Sequence, residues 1–288
     1  MNWKMFNTYK TDRFIGFESD YENSDVVLLG APFDGTVSYR PGTRFAPMAV
    51  RTESYGLETY SPYLDLDLED YKLSDIGDVE FPFGNKEATL SAIKSEISKV
   101  VADGKKPLMV GGEHLVTLPA VEALYEKYPD LHIIHFDAHT DLREDYMGEV
   151  LSHATVLRRA WDVVGDGRIY QFGIRSGMKE EFEWAKSHTY LEKFSTSTLA
   201  SKLEELKDVP VYLTIDLDVL DPSVFPGTGT PEPGGIDMKE MLAALVSMKG
   251  INFVGADVVE LSPHYDASGA STAVACKVVR EVTLLLAE

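Results

Sequence analysis

The sequence predicts an α/β fold with a mostly parallel central sheet and helices on both of its faces. Short apolar segments alternate with longer segments whose apolar residues recur at helical spacing, which requires parallel strands joined by helical crossovers. Residues 25–33 form an apolar run typical of a strand buried on both faces. No linker, low-complexity segment or internal repeat interrupts the alternation, so residues 1–288 are expected to form one domain.

The individual elements follow from local patterns along the chain. Strands are predicted where a short, mostly apolar run lies between turn-forming residues. These runs are 25–33, 73–76, 107–110, 131–136, 168–173, 211–217 and 253–259. Helices are predicted where apolar residues recur every three or four positions, as at Leu90, Ile93 and Ile97. They are a helix beginning at 48, preceded by Pro47, and 87–102, 115–128, 152–164, 198–206, 238–248 and 271–287.

The charge of the chain limits its partners. With 27 Lys and Arg against 47 Asp and Glu, the formal net charge is −20. Nucleic acids and anionic membranes are disfavoured because their phosphates require clustered Lys and Arg. The negative electrostatic field of such a protein favours a small cationic substrate. The acidity could also serve only to prevent protein molecules from associating with one another. Cys276 is the single cysteine and no apolar run reaches membrane-spanning length, so a cytoplasmic protein is expected.

The densest group of candidate ligands follows the fourth predicted strand. Asp137, His139 and Asp141 occupy alternate positions of Asp-Ala-His-Thr-Asp. If the strand continues, alternation points them to one side, and if the chain bends, a loop can converge them. Carboxylate and imidazole together bind Mn²⁺, Fe²⁺, Co²⁺ or Zn²⁺, although the same residues also cap helices and turns. His132 and His135 lie within the strand and are expected to be core or solvated side chains.

Two further clusters fall at predicted strand ends. Gly111-Gly112-Glu113-His114 follows one strand, and Asp216-Leu-Asp218 followed by Val-Leu-Asp221-Pro222 ends another. The paired glycines permit a tight turn that aims His114 at the edge of the sheet. Asp216 and Asp218 are expected to alternate to one side, and Asp221 before a proline is expected to be a turn residue. Ligands of α/β folds lie at this edge, beyond the carboxyl ends of the strands.

Together the three clusters offer six candidate metal ligands, which are His114, Asp137, His139, Asp141, Asp216 and Asp218. Their four carboxylates exceed what one divalent ion needs, whereas two ions about 4 Å apart can share them. Burying four negative charges without any cation would be costly. The pattern therefore predicts a site for two metal ions.

In their order and separation, these motifs resemble those of the ureohydrolase family of arginases and agmatinases. The resemblance extends from Gly30-Ala-Pro-Phe-Asp-Gly to Glu260 and so covers nearly the whole chain. It implies a three-layer α/β/α fold, two Mn²⁺ ions, and hydrolysis of a guanidinium group to urea and an amine by metal-activated water. A homo-oligomer, either trimer or hexamer, is also implied.

The resemblance assigns roles to residues of this sequence. One Mn²⁺ would be bound by His114, Asp137, Asp141 and Asp216, and the other by Asp137, His139, Asp216 and Asp218, so that Asp137 and Asp216 bridge. His153, in Ser-His-Ala-Thr, resembles a proton-shuttling histidine, and Glu260 resembles the carboxylate that pairs with the substrate guanidinium. Asp141 would deliver a proton to the leaving amine. Glu113 stands where many members have Asp and is not expected to be a ligand.

The loop at 142–151 provides the argument about substrate. It contains Glu144, Asp145 and Glu149 and has no Asn, Ser or Thr, the residues with which arginases bind the substrate carboxylate. An acidic wall would suit agmatine, whose tail is an ammonium group, and would repel a carboxylate. Arg143 opposes this argument because it can pair with a carboxylate. Agmatine, cleaved to urea and putrescine for polyamine biosynthesis, therefore ranks first, 4-guanidinobutyrate second and arginine third.

Two functions of other classes remain open at this point. A non-catalytic metal-binding scaffold could use the same ligands, but it would not need His153 and Glu260 to face the metal ions. A two-metal phosphoesterase would need Arg or Lys for the phosphate oxygens, which residues 40–44 could provide. A loop at 227–230 contains two glycines but lacks the Lys-Ser/Thr ending of a phosphate-binding loop.

Overall fold

The computed structural model describes residues 6–9 and 11–288, and its central feature is a twisted sheet. The strands are β1 Thr8–Tyr9, β2 Val26–Ala31, β3 Tyr60–Ser61, β4 Leu66–Asp67, β5 Leu73–Val79, β6 Lys106–Gly111, β7 His132–Phe136, β8 Ile169–Ile174, β9 Tyr190–Lys193, β10 Val211–Asp216 and β11 Phe253–Val259. In the described residues the sheet has nine strands in the order β1-β5-β2-β6-β11-β10-β7-β8-β9, all parallel except the antiparallel edge strand β1. A separate two-stranded hairpin consists of β3 and β4.

Helices cover both faces of this sheet. They are α1 Ala46–Ser54, α2 Lys86–Ala102, α3 Thr117–Lys127, α4 Val156–Val164, α5 Lys179–His188, α6 Leu199–Leu206, α7 Met238–Ser247 and α8 Ala270–Ala287. One apolar core lies between the sheet and α1, α6, α7 and α8, and a second lies between the sheet and α2, α3, α4 and α5. The predicted α/β class and its three layers are therefore confirmed. Of the helices described, none combines the length and apolarity needed to cross a bilayer.

Local sequence explains where several helices begin. The Asn85 side chain accepts the Ala88 N–H at 2.9 Å and so caps α2, while Asp237 caps α7 through the Glu240 N–H at 2.8 Å. Pro47 lies in the first turn of α1, as predicted, although the helix begins two residues earlier than expected. These caps satisfy N–H groups that have no partner inside the helix.

Several elements differ from their sequence-based prediction. Helix α5 was not predicted because it is mostly polar, and β9 was not predicted because four residues at a sheet edge leave little pattern. Strand β5 was predicted to end at residue 76, but it continues to Val79. The continuation contains Asp78 which, like Asp75, pairs with the buried guanidinium of Arg51 on α1; Arg51 Nε donates to Asp75 Oδ2 at 2.8 Å.

Four polar side chains cross the middle of the sheet at one level, on the face covered by α2, α3, α4 and α5. Register pairs Asp257 on β11 with Thr214 on β10, Thr214 with His135 on β7, and His135 with Gln171 on β8. All four are completely buried. We refer to these residues as the polar row. It lies immediately before the carboxyl ends of the strands, where the candidate ligands begin.

Candidate metal centre and adjoining cavity

The candidate ligands converge through turns that follow three strands. Strand β7 ends at Phe136, so Asp137, His139 and Asp141 lie in the loop beyond it rather than along the strand. The Asp137 carboxylate accepts the His139 N–H at 2.6 Å, and Asp141 has φ +50°. A non-glycine residue in this left-handed conformation is uncommon and strained. The loop therefore achieves the convergence, as the second of the two sequence-based alternatives anticipated.

Three of these carboxylates surround the His114 ring. His114 Nδ1 lies 3.2 Å from Asp137 Oδ2, 3.2 Å from Asp141 Oδ2 and 3.3 Å from an oxygen of Asp216. All four side chains are buried. They come from the ends of β6, β7 and β10 and form the first cluster.

A second cluster adjoins the first and shares Asp137 with it. His139 Nδ1 lies 3.1 Å from Asp218 Oδ2 and 3.4 Å from Asp137 Oδ1. Asp218 lies in a short 3-10 turn after β10, and its N–H donates to Asp216 Oδ1 at 2.9 Å. The turn, not the predicted strand alternation, brings Asp216 and Asp218 together. The structure thus brings together all six residues predicted to bind metal.

The polar row determines which nitrogen of His114 carries the proton. Asp257 accepts the hydroxyl proton of Thr214 at 2.6 Å and the hydroxyls of Thr117 and Tyr212 as well. Because the Thr214 hydroxyl has already donated its proton, its oxygen can only accept from His114 Nε2, which lies 3.0 Å away. In the neutral ring, the form in which imidazole binds a metal ion, Nδ1 therefore carries a lone pair and faces three carboxylates.

This arrangement requires a cation. Among the described residues, His114 Nδ1 has no hydrogen-bond partner, and no Lys or Arg pairs with the four carboxylates of the two clusters. Buried oxygens that surround a nitrogen lone pair repel one another unless a positive charge lies between them. Oxygen and imidazole nitrogen are also the donors that divalent transition metals prefer. The residues present therefore fit a metal centre.

The pKa values of His114, His139 and Asp216 are shifted in the direction that adds positive charge or removes negative charge. Burial alone would lower the pKa of His114, but the surrounding carboxylates raise it well above its ordinary value. Burial would likewise lower the pKa of His139, but the nearby carboxylates, Asp218 foremost, raise it well above its ordinary value. Burial, and then the charge of Asp218, raises the pKa of Asp216 well above the usual range of a carboxyl group.

His153 lies beside the clusters, at the start of the turn that precedes α4. Its N–H donates to Thr36 Oγ1 at 3.0 Å, Nδ1 lies 3.3 Å from the same oxygen, and Nε2 lies 3.5 Å from Ser38 Oγ. Thr36 also donates to Glu113 through its hydroxyl and N–H groups. Burial, assisted by the nearby His139, lowers the pKa of His153 to about 4, so the ring is neutral at pH 7.

Glu260 follows β11 and is held in a strained conformation. Its φ is +67°, and its backbone N–H donates to the Gly112 carbonyl at 3.0 Å. Its Oε1 accepts the backbone N–H of His114 at 2.7 Å. Burial and then the charge of Glu113 raise the pKa of Glu260 well above its ordinary value. A buried carboxylate of this kind favours a cationic partner.

A cavity of about 280 Å³ connects the clusters to the surface. It is lined by His139, Asp141, Asp216, His153 and Glu260, together with ten other residues that include Ser38, Arg143, Tyr146, Glu181 and Thr230. The loop at 142–151 contributes Arg143 and Tyr146. The prediction that Glu144, Asp145 and Glu149 form an acidic wall is wrong, because none of them lines the cavity; Glu144 and Asp145 are exposed, and Glu149 pairs with Lys86.

Several residues near the site had no distinguishing sequence signal. Arg175 donates to the carbonyls of Asp218 at 2.6 Å and Val219 at 2.9 Å and so supports the turn that carries Asp218. Glu181, on the polar helix α5, accepts the Thr140 hydroxyl at 2.5 Å and the Leu142 N–H at 3.0 Å. His135 is a core residue, as expected, but its Nε2 lies 2.8 Å from Asp137 Oδ2. Asp221 is a turn residue, as predicted, and accepts the Ser223 N–H.

Comparison with known proteins identifies similar chains over almost the full length. The profile of the arginase family matches residues 24–285. An agmatinase from Bacillus subtilis (strain 168) is 50% identical over 280 residues, which are 96% of this chain and 97% of the relative. The crystal structure of the agmatine ureohydrolase of Thermoplasma volcanium superposes with a TM-score of 0.85 at 34% identity, covering 97% of this chain and 94% of that one. A guanidinobutyrase from Pseudomonas aeruginosa is 31% identical, covering 91% of this chain and 86% of the relative.

Proposed function

Because the chain belongs to the arginase family and is a ureohydrolase-type hydrolase, we propose that it cleaves agmatine to urea and putrescine with two Mn²⁺ ions bound. The observation that carries this proposal is the position of Glu260 and His153 in the same cavity as the two clusters. A protein that only stores metal would not need a guanidinium partner and a neutral imidazole there. The names of the relatives support agmatine as the substrate.

The ligand assignment takes the two clusters and adds Asp216, whose Oδ1 accepts the backbone N–H of Asp218 at 2.9 Å, to the second. His114, Asp137, Asp141 and Asp216 would hold one ion, and Asp137, His139, Asp216 and Asp218 would hold the other, with Asp137 and Asp216 shared. When bound, two divalent ions supply Lewis acidity that lowers the pKa of water and polarises the substrate. The remaining steps depend on side chains of the chain itself.

Glu260 binds and orients the guanidinium group. The His114 N–H holds Oε1, so the carboxylate keeps one orientation, and a planar guanidinium can donate two parallel hydrogen bonds to it. The positive charge of the substrate compensates the buried negative charge of Glu260. A guanidinium group bound to Glu260 would lie in the cavity that His139, Asp141 and Asp216 also line.

Two other side chains handle protons. Asp141 belongs to the first cluster and also lines the cavity, so it can take a proton from the attacking water and deliver it to the departing amine nitrogen. His153 is neutral and contacts Thr36 through Nδ1 and Ser38 through Nε2, so it can accept a proton and pass it to solvent at the cavity mouth.

The direct test is urea release by the manganese-loaded protein from agmatine, 4-guanidinobutyrate and arginine in parallel. We expect the kcat/KM for agmatine to exceed the other two by at least roughly tenfold. Glu260→Gln should lower kcat/KM by roughly 100-fold, about 3 kcal/mol, without loss of bound manganese. Glu180→Gln, at an exposed position of α5, is the matched control. Absence of urea from all three compounds would refute the proposal.

One observation favours 4-guanidinobutyrate as a second candidate. Arg143 lines the cavity, and its guanidinium lies 4.6 Å from the Tyr146 ring and 3.7 Å from Glu181. A cation there could bind a substrate carboxylate. If agmatine is the substrate, Arg143→Gln should change its kcat/KM by less than about threefold; if the carboxylate compound is, its KM should rise roughly 30-fold.

A further inference from the structure

We propose that His135 is a positioning residue for Asp137 and that Gln171 sets the tautomer in which it acts. Both residues belong to the polar row and neither faces the cavity. The proposal rests on the proposed function in one respect, since it takes Asp137 to be a metal ligand shared by two ions. Its consequence is that a residue outside the ligand set controls how the shared carboxylate presents its oxygens.

The first step is the orientation of the Gln171 side chain. Its Nε2 lies 2.8 Å from the carbonyl oxygen of Thr140, which can only accept a hydrogen bond. Its Oε1 accepts the Thr189 hydroxyl at 3.1 Å. The amide therefore has one orientation that satisfies both neighbours, with the NH₂ group directed towards Thr140 and His135.

The second step is the tautomer of His135. Gln171 Nε2 lies 3.1 Å from His135 Nδ1, and because an NH₂ group can only donate, Nδ1 carries no proton. The ring proton must then be on Nε2, which lies 2.8 Å from Asp137 Oδ2 and donates to it. Both ring nitrogens are thus engaged. His135 is a donor to a ligand and not itself a ligand, although it lies close to His114 and Asp137.

The third step concerns Asp137, which receives one N–H on each oxygen. Oδ2 accepts from His135 and Oδ1 accepts from the His139 backbone at 2.6 Å. Each oxygen keeps a lone pair for its own cluster, since Oδ2 lies 3.2 Å from His114 Nδ1 and Oδ1 lies 3.4 Å from His139 Nδ1. The two donors therefore hold the carboxylate plane between the clusters, which is the orientation that a bridging ligand needs.

The two halves of the polar row act in the same way on the two clusters. On one side Asp257 and Thr214 leave His114 with a free Nδ1, and on the other side Gln171 leaves His135 with a proton on Nε2. A single buried row thus fixes the protonation of an imidazole that faces the first cluster and of an imidazole that donates to the shared carboxylate.

The experiment measures Mn²⁺ binding to metal-free protein for His135→Leu and His135→Gln. Leucine removes the donor, so we expect Mn²⁺ to bind roughly 10- to 100-fold more weakly and kcat to fall while KM is unchanged. Glutamine can place an amide N–H near the former Nε2 position, so its affinity should remain within roughly fivefold of the unchanged protein. Wild-type affinity in a folded His135→Leu protein, or equal losses in both variants, would overturn the proposal.

A second measurement does not depend on whether the variants fold. ¹⁵N chemical shifts of the histidine rings distinguish a protonated Nε2 from a protonated Nδ1 in the unchanged protein, and through-bond correlation to the assigned backbone identifies the His135 signals. We expect His135 to carry its proton on Nε2. A proton on Nδ1 would overturn the inference, while Mn²⁺ affinities that follow it in a protein that releases no urea would overturn only the proposed function.

Discussion

Two buried groups of carboxylates at the same sheet differ in where their compensating charge comes from. Asp75 and Asp78, on β5, surround Arg51, which forms two bonds to Asp75 at 2.8 and 2.9 Å and one to Asp78. The clusters at the ends of β6, β7 and β10 contain four carboxylates and two imidazoles, and in the described chain neither Lys nor Arg pairs with the carboxylates. The negative charge of the first group is balanced by a side chain of the same molecule, whereas that of the second group needs positive charge from a bound ion or substrate.

The comparison shows how a structural charge cluster can be distinguished from a functional one. Burial exposes both groups to the same cost of removing charge from water. Arg51 offsets this cost: burial alone would lower the pKa of its guanidinium, but Asp75 and Asp78 together raise it. At the other group the same cost is left for a metal ion and a cationic substrate to offset. Four predictions test this difference, from the largest expected effect to the smallest.

Asp137→Asn should produce the largest change. Among the described residues, Asp137 is the one carboxylate that contacts the imidazoles of both clusters, so its loss should weaken the binding of both ions. We expect kcat/KM to fall by roughly four orders of magnitude, about 5.5 kcal/mol, with a clear drop in bound manganese. Metal analysis of the purified protein and urea assays provide the measurement. Unchanged metal content would contradict the assignment of Asp137 as a shared ligand.

Arg51→Met should damage stability and leave the metal centre intact. Removal of one partner from a buried ion pair leaves uncompensated charge and should lower the free energy of unfolding by about 4 kcal/mol. Urea denaturation measures this value, and manganese content per chain should not change. The triple variant with Asp75→Asn and Asp78→Asn should recover part of the loss. A loss of metal in Arg51→Met would show that the two groups are coupled.

Manganese itself should stabilise the chain by a smaller amount. At a concentration about 100-fold above its Kd, a ligand that binds only the folded state adds about 2.7 kcal/mol. For a chain of this length, that corresponds to a rise of roughly 5 °C in Tm over chelator-treated protein. Differential scanning calorimetry checks the shift, with Asp137→Asn as the control in which it should largely disappear. Equal Tm values with and without metal would mean that the clusters have no need of external cations.

Neutralising exposed acids should have almost no effect. Glu144→Gln and Asp145→Asn remove charges from the loop at 142–151 that do not line the cavity. At about 0.15 M salt, we expect kcat/KM for agmatine to change by less than about twofold. A loss of tenfold or more would restore the acidic-wall argument that the cavity lining contradicts.

The sequence was sufficient for the class of fold because the pattern of the central strands is strong. Strand β11 has its predicted bounds, and β7 and β10 end within one residue of theirs, because apolar runs stop where polar ligands begin. Helix α5 could not be predicted in this way, since its burial involves few apolar residues. Strand β5 extends past residue 76 because contact with Arg51, far away in sequence, compensates Asp78.

The candidate site was predictable in its ligands and not in its surroundings. Motif residues such as His114 and Asp216 are recognisable from type and spacing, because metal chemistry restricts both. Gln171 and Arg175 act through contacts with residues distant in sequence, so nothing in their local sequence distinguishes them. The same limit explains the error about the 142–151 loop, since a list of charges does not say which side chains face inward.

The polar row also constrains how the strands can assemble. Successive residues of a strand face opposite sides of the sheet, so displacement of β7, β8, β10 or β11 by one position would turn its row residue into the opposite apolar layer. Such a shift in register would bury the polar side chain among apolar residues without a hydrogen-bond partner. The four side chains therefore favour the native strand register, because a shifted register would cost free energy even in the metal-free chain.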